Sequence, residues 1–176
     1  GAGAALSAGS TNLRQSMIKG GDGTDTLVLA GKADKSSAQS SGYLIDLPNG
    51  KLELLKTATE QGPRHTLAVL DSIENVETLA GASNKVIGTA GDNTIVAHGN
   101  DQIMAGAGDD QISILNGDGI VDGGPGKDRY LIAHKAGTLH VIEDGKDDSV
   151  IVLDWRMELI DGWRIVHRRM RTAMQA

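Results

Sequence analysis

A pattern nine residues long recurs along this chain, and so short a period restricts the fold more than any composition can. Gly20-Gly21-Asp22-Gly23-Thr24-Asp25-Thr26-Leu27-Val28 reads G-G-x-G-x-D-x-U-x, where U is a large aliphatic residue. Gly123 to Leu131 repeats it with Asp128 at the sixth place and Tyr130 at U. Ala105 to Ser113 matches except for Ala at the first place, and its start lies 18 residues before Gly123, two steps of nine. The nonamer between them, Ile114 to Asp122, keeps Gly117 and Val121 but has Gly119 where Asp belongs. Gly88 to Val96 fits with Asn93 at the sixth place, Ala97 to Met104 is an eight-residue version holding Gly99, Asp101 and Ile103, and Leu79 to Ile87 is a weak copy holding Asn84 and Val86. Six successive units in near-constant register are not chance.

The period dictates a physical reading. The x-U-x triplet makes a short strand with one inward aliphatic residue, and G-G-x-G-x-D makes a turn. Alternate turns fall on opposite edges, so 18 residues close one coil of a parallel β-roll. The class expected is all-β. Val86, Ile95, Ile103, Ile112, Val121 and Tyr130 then form two stacked core ladders. One edge stacks residues 88–93, 105–110 and 123–128, and the other 79–84, 97–101, 114–119 and 132–137. The glycines allow backbone angles that other residues resist.

Composition agrees. Aromatics are only 2% of the chain, with no Phe, as a roll too thin to hold many rings requires. Glycine numbers 24 against three Pro. Of 23 acidic residues 17 are Asp, which suits turns, caps and cation-binding loops rather than helices. The net charge of −6 disfavours a nucleic-acid partner. Five Arg against Glu158 and Asp161 make residues 156–176 locally basic, which leaves the body more acidic than the total. No cysteine is present, so disulfides, thiolate metal sites and cysteine nucleophiles are excluded. No apolar run has the length of a transmembrane segment, and the opening GAGAALSAGS lacks the pattern of a Sec signal. That opening reads as the interior of a longer protein.

The nonamers resemble those of the RTX, or hemolysin-type calcium-binding, family. The resemblance is strongest over residues 79–131 and 20–28. It implies a Ca²⁺ ion between turns of neighbouring coils on one edge, held by sixth-place carboxylates and by carbonyls of the glycine-rich turns. Oxygen-only donor sets of this kind suit calcium. On the first edge the implied ligands are Gly91 and Asn93, Gly106, Gly108 and Asp110, and Gly124, Gly126 and Asp128, with ions between Asn93 and Asp110 and between Asp110 and Asp128. On the second edge Asn84 pairs with Asp101, helped by Gly99; Gly119 breaks the next pairing, with Asp118 as its substitute. Gly21, Gly23 and Asp25 form one further half-site whose stacking partner the sequence does not identify.

Four stretches follow. Residues 1–31 hold an N-terminal strand and the first nonapeptide, and 32–78 interrupt the repeat. Within that interruption Tyr43–Leu47 and Lys51–Leu55 predict a hairpin turning at Asn49-Gly50, read as a β flap against one end of the roll. Residues 79–131 are the calcium-binding roll. Residues 132–176 resemble the capping coils that close such rolls, with Trp155 and Trp163, a hairpin over Met157–Ile165 and a basic tail.

No catalytic constellation emerges. Gly126-Lys127 lacks the spacing of a P-loop, Asp118 to Gly123 lacks the later Glu of an EF-hand, and the five His include no H-E-x-x-H pair. The resemblance implies a non-catalytic calcium-binding module of a larger secreted bacterial protein, whether toxin, adhesin or exoenzyme. Such a protein leaves by type I secretion and folds on extracellular calcium. Its partners are calcium ions and flanking domains of the parent protein. Two other readings stand beside this one: an adhesion or carbohydrate-binding module using the flap against a host-cell surface or glycan, and an accessory module of an extracellular polysaccharide-modifying enzyme. The basic ending RRMRTAMQA departs from the C-terminal signal usual in the family.

Overall fold

Short aliphatic triplets between glycine-rich turns leave the backbone little choice but brief strands. The computed structural model describes residues 4–7, 16–31, 42–55, 66–133, 136–142, 147–153 and 172–173. These fold into β1 (Ala4–Ser7), β2 (Ser16–Lys19), β3 (Thr26–Ala30), β4 (Tyr43–Asp46), β5 (Lys51–Leu54) and β6 (Thr66–Asp71). A regular alternation then begins with β7 (Asn75–Glu77), β8 (Lys85–Ile87), β9 (Thr94–Ala97), β10 (Gln102–Met104) and β11 (Gln111–Ile114). It ends with β12 (Gly117–Asp122), β13 (Arg129–Ala133), β14 (Ala136–Ile142) and β15 (Ser149–Leu153), after which β16 (Thr172–Ala173) returns to the sheet.

The strands part into two sheets, odd and even separating cleanly from β7 to β15. The first runs β1-β3-β7-β9-β11-β13-β15-β16, and the second β14-β12-β10-β8-β4-β5-β6-β2. From β7 to β15 the chain crosses from one to the other at every turn, with parallel pairing throughout. The protein is a β-solenoid of the β-roll kind, as the nine-residue step requires.

The core ladders stack in register. Leu27, Val76, Ile95, Ile112, Tyr130 and Val150 are successive partners in the first sheet. Ile45, Val86, Ile103, Val121 and Val141 are successive partners in the second. All six residues expected to face inward are buried. Burying one such aliphatic side chain stabilises the fold by about 1.5–3 kcal/mol. Each coil exposes its alternate residues, as in the eBiB pattern of Thr94–Ala97 and Gln111–Ile114.

The hairpin sits elsewhere than expected. β4 pairs antiparallel with β5, β5 antiparallel with β6, and β4 parallel with β8. The pair is thus intercalated in the second sheet, with β6 on one side and β8 on the other, rather than laid against an end. Leu44, Ile45 and Leu52 are buried, which supplies the reason: these strands carry core residues, and a flap would expose them. The turn differs too. Gly50 N–H donates to the Leu47 carbonyl at 3.0 Å, so Pro48-Asn49 occupies the centre and Gly50 follows with φ 60°. Proline's fixed φ suits the first central position and overrides the Asn-Gly preference. The side chain of Asp46 caps this turn by accepting from Asn49 N–H at 3.2 Å.

Near the C-terminal end β12 starts at Gly117, inside the segment expected to turn, with a register shift between Gly117 and Gly119. The expected hairpin over Met157–Ile165, both Trp and all but Thr172 and Ala173 of the basic tail lie outside the described residues.

Candidate calcium edge

The turns leading from the second sheet into the first stack into one edge. The residue two places before each core residue of the first sheet forms its rungs: Asp25, Glu74, Asn93, Asp110, Asp128 and Asp148. At most rungs a backbone N–H donates to the carboxylate of the following coil. Asp25 N–H donates to Glu74 Oε2 at 2.8 Å, and Asn93 N–H to Asp110 Oδ1 at 2.7 Å. Asp110 N–H donates to Asp128 Oδ1 and Asp128 N–H to Asp148 Oδ1, both at 2.9 Å. The ladder breaks once. The amide of Asn93 turns away, its Nδ2 donating to the Glu74 carbonyl at 2.6 Å and its Oδ1 accepting from Thr89 N–H at 2.7 Å.

One oxygen of the Glu74, Asp110, Asp128 and Asp148 carboxylates is therefore spoken for, and the oxygens left over decide the chemistry. Asp110 Oδ2 and Asp148 Oδ2 are buried without a hydrogen-bond donor, as are both side-chain oxygens of Asp25. Asp110 is 0% exposed and Asp25 2%. Burial pushes the Asp110 carboxyl up to about 7; the Asn93 N–H pulls the other way, and the negative charges of Asp128, Asp92 and Asp109 add to the rise. A buried carboxylate oxygen with no donor needs a proton or a cation.

The backbone around these oxygens is tightly stacked. Gly106 has φ 118° and a methyl there would fall on the Thr89 carbonyl oxygen; Gly124 has φ 85° and a methyl would fall on the Gly106 carbonyl oxygen. Only glycine fits, and carbonyl oxygens line the gaps between coils. Among the described residues no three His, Cys, Asp or Glu side chains converge. A cation here would rely on few carboxylates and several carbonyls, a set that fits Ca²⁺ and offers Zn²⁺ nothing it seeks.

The comparison with known families agrees with this geometry. Residues 80–112 match the family model of the RTX calcium-binding nonapeptide repeat, in four copies. This segment carries RTX repeats. The RTX calcium-binding family binds Ca²⁺. No curated protein matches the chain. The RTX match takes in Asn84 and Asp101 of the second edge and Asn93 and Asp110 of the first, and the first edge continues beyond it through Asp128.

The second edge is built differently from what the sequence predicts. The structure brings Asn84 and Asp101 together, but protein donors already occupy both Asp101 oxygens. Oδ1 accepts from Asn84 N–H at 2.9 Å and Asn84 Nδ2 at 2.8 Å, and Oδ2 from Thr78 Oγ1 at 2.7 Å and Gly99 N–H at 3.3 Å. Protein donors thus hold this pair in a hydrogen-bonded clasp. Asp118 does not stand in for Gly119 either. Its N–H donates to Asn100 Oδ1 at 2.9 Å and its own Oδ1 accepts from Thr138 N–H at 2.6 Å. The same exposed fifth-place ladder runs along the first edge, where Asp92 accepts from Asp109 N–H and Asp109 from Lys127 N–H.

The remaining predicted positions divide. Gly21 and Gly23 have positive φ with open space around them, and Gly91 is likewise open. Glu74 and Asp148 were not identified from the sequence. Glu74 follows no glycine, and its only signal is its place two residues before Val76. Asp148 stands two residues before Val150 but follows Asp128 by 20 residues, off the nine-residue step.

Proposed function

We propose that this chain is a calcium-binding β-roll module of a larger secreted bacterial protein, its first edge closing on Ca²⁺. The observation that carries the reading is Asp110 Oδ2, buried without a donor inside a stack of glycine turns. Asp110 and Asp128, with carbonyls of the 88–93, 105–110 and 123–128 turns, would hold ions in the matched region and just beyond it. A separate ion belongs at Asp25. Its stacking partner is the Ser72–Asn75 turn, which brings Glu74 against the Asp25 amide. Bound calcium would neutralise carboxylates that otherwise repel across coils, so binding energy becomes folding energy.

The absence of cysteine and the acidic body agree with a protein that folds outside the cell, where calcium is millimolar. Among the described residues no helix is long and apolar enough to cross a membrane. Secretion by the type I route and a toxin, adhesin or exoenzyme parent belong to this proposal. The adhesion reading places recognition on the flap, whose described hairpin is hydrogen-bonded on both sides within the second sheet.

The test is a titration of calcium-stripped protein with Ca²⁺, and separately Mg²⁺, followed by far-UV circular dichroism. The proposal expects a cooperative gain of β signal between about 0.1 and a few millimolar Ca²⁺, the range of extracellular modules. Mg²⁺ should not reproduce it, and Asp110→Ala should lose it. A fully folded, calcium-indifferent protein would overturn the reading.

A further inference from the structure

A direct backbone bond recurs where each first-edge turn begins. Gly20 N–H donates to the Asp71 carbonyl at 2.9 Å, Gly88 N–H to Met104 at 2.8 Å and Ala105 N–H to Asp122 at 2.8 Å. At the next coil the joint is made differently. Gly123 N–H donates to Tyr130 Oη at 3.0 Å, and that hydroxyl donates to the Ile142 carbonyl at 3.2 Å. A phenol has been inserted into a joint that the backbone alone closes elsewhere.

Coil length explains why something must be inserted. Successive rungs are 17 residues apart from Asn93 to Asp110, 18 from Asp110 to Asp128, and 20 from Asp128 to Asp148. The longer closing coil leaves a wider joint, and an aliphatic residue at Tyr130's place has no group to fill it. The ring itself is fully buried in the core ladder. Its hydroxyl also lies beside the candidate calcium edge. A methyl placed on Gly123 would strike both Asp128 Oδ2 and Tyr130 Oη, so the two oxygens flank one glycine.

We propose that Tyr130 is a positioning residue for calcium. Its hydroxyl seats the 123–128 turn on the closing coil and thereby fixes Asp128 against the ion between the Asp110 and Asp128 turns. The proposal rests on the calcium reading above. Replacing the hydroxyl leaves a buried N–H and a carbonyl without their shared partner, and the turn that carries Asp128 loses its seat.

The test is a double-mutant cycle on the full chain, with the calcium midpoint as readout, comparing wild type, Tyr130→Phe, Asp128→Asn and the double variant. Tyr130→Phe should raise the midpoint about tenfold in the wild-type background and change it little once Asp128 is Asn. Equal shifts in both backgrounds would mean a purely structural hydroxyl and would overturn the proposal. An unchanged midpoint in Tyr130→Phe would overturn it while leaving the calcium reading intact, whereas a wild type indifferent to calcium would remove both. Should Tyr130→Phe fail to fold, ¹³Cζ-labelled tyrosine supplies a second readout at saturating calcium. The Tyr130 resonance should move between wild type and Asp128→Asn, and a resonance that stays in place would overturn the proposal.

Discussion

The amide nitrogen of Asp110 stands 2.9 Å from Oδ1 of Asp128, in the next coil. One carboxylate thus positions the backbone that carries another. Two negative groups are brought within a coil spacing by the same bonds that hold the turns together, and the repulsion this creates is what a cation relieves.

Asp110→Asn should therefore act in opposite directions with and without calcium. The amide oxygen can keep the bond from Asn93 N–H while the buried charge disappears. Calcium-free stability should rise by about 1–3 kcal/mol, and the calcium midpoint should rise at least about tenfold. Urea denaturation with and without calcium measures both, and a loss of stability under both conditions would count against a cation site.

The pH dependence follows from the raised carboxyl of Asp110, which titrates at about 7 in the fold and near 4 in the unfolded chain. The folded, metal-free form holds a proton that the unfolded chain gives up. This group's contribution to stability is full below about pH 4 and is lost as the pH climbs to about 7. Calcium that binds the folded, metal-free form must displace that proton. Its affinity for that form should rise about tenfold per pH unit from about pH 5 to 7 and level off above. An affinity independent of pH across that window would contradict the assignment, and Asp110→Asn should flatten the dependence.

Asp101→Ala should be calcium-blind. It strands the Asn84 amide, the Thr78 hydroxyl and the Gly99 N–H, at a cost of about 3–5 kcal/mol. Thermal melts with and without calcium should drop by similar amounts. A drop confined to the calcium-loaded protein would restore Asp101 as a ligand.

Gly124→Ala should be severe, because the φ of 85° and the Gly106 carbonyl oxygen both oppose a side chain. We expect a loss above about 3 kcal/mol and no β signal at millimolar calcium. Gly91→Ala, where the surroundings are open, should fold and bind almost as wild type. Comparable behaviour of the two variants would refute the close stacking.

Much of the roll was legible because its period is short. Val86, Ile95, Ile103, Ile112, Val121 and Tyr130 follow from counting alone, and so do the two sets of turns. What escaped depends on partners that counting does not supply. Asp101 looks like a ligand until Thr78, outside its nonamer, closes its second oxygen. The hairpin announces its two strands, but their neighbours β6 and β8 are set by tertiary packing of Leu44, Ile45 and Leu52. Asn49-Gly50 lost to Pro48 because a ring-fixed φ outweighs a turn preference. Glu74 and Asp148 were hidden by a missing glycine and by a 20-residue step.

The first sheet passes from β3 directly to β7 and β9, whereas the second takes in β5 and β4 between β6 and β8. One side of the roll is thus an unbroken spine and the other contains a splice. Strands were added without adding a coil, and every first-edge rung from Asp25 to Asp148 stayed on the spine side. Such a splice is a natural graft point. Its length and sequence can drift, or be replaced by design, while the ion-binding edge opposite keeps its count and its order.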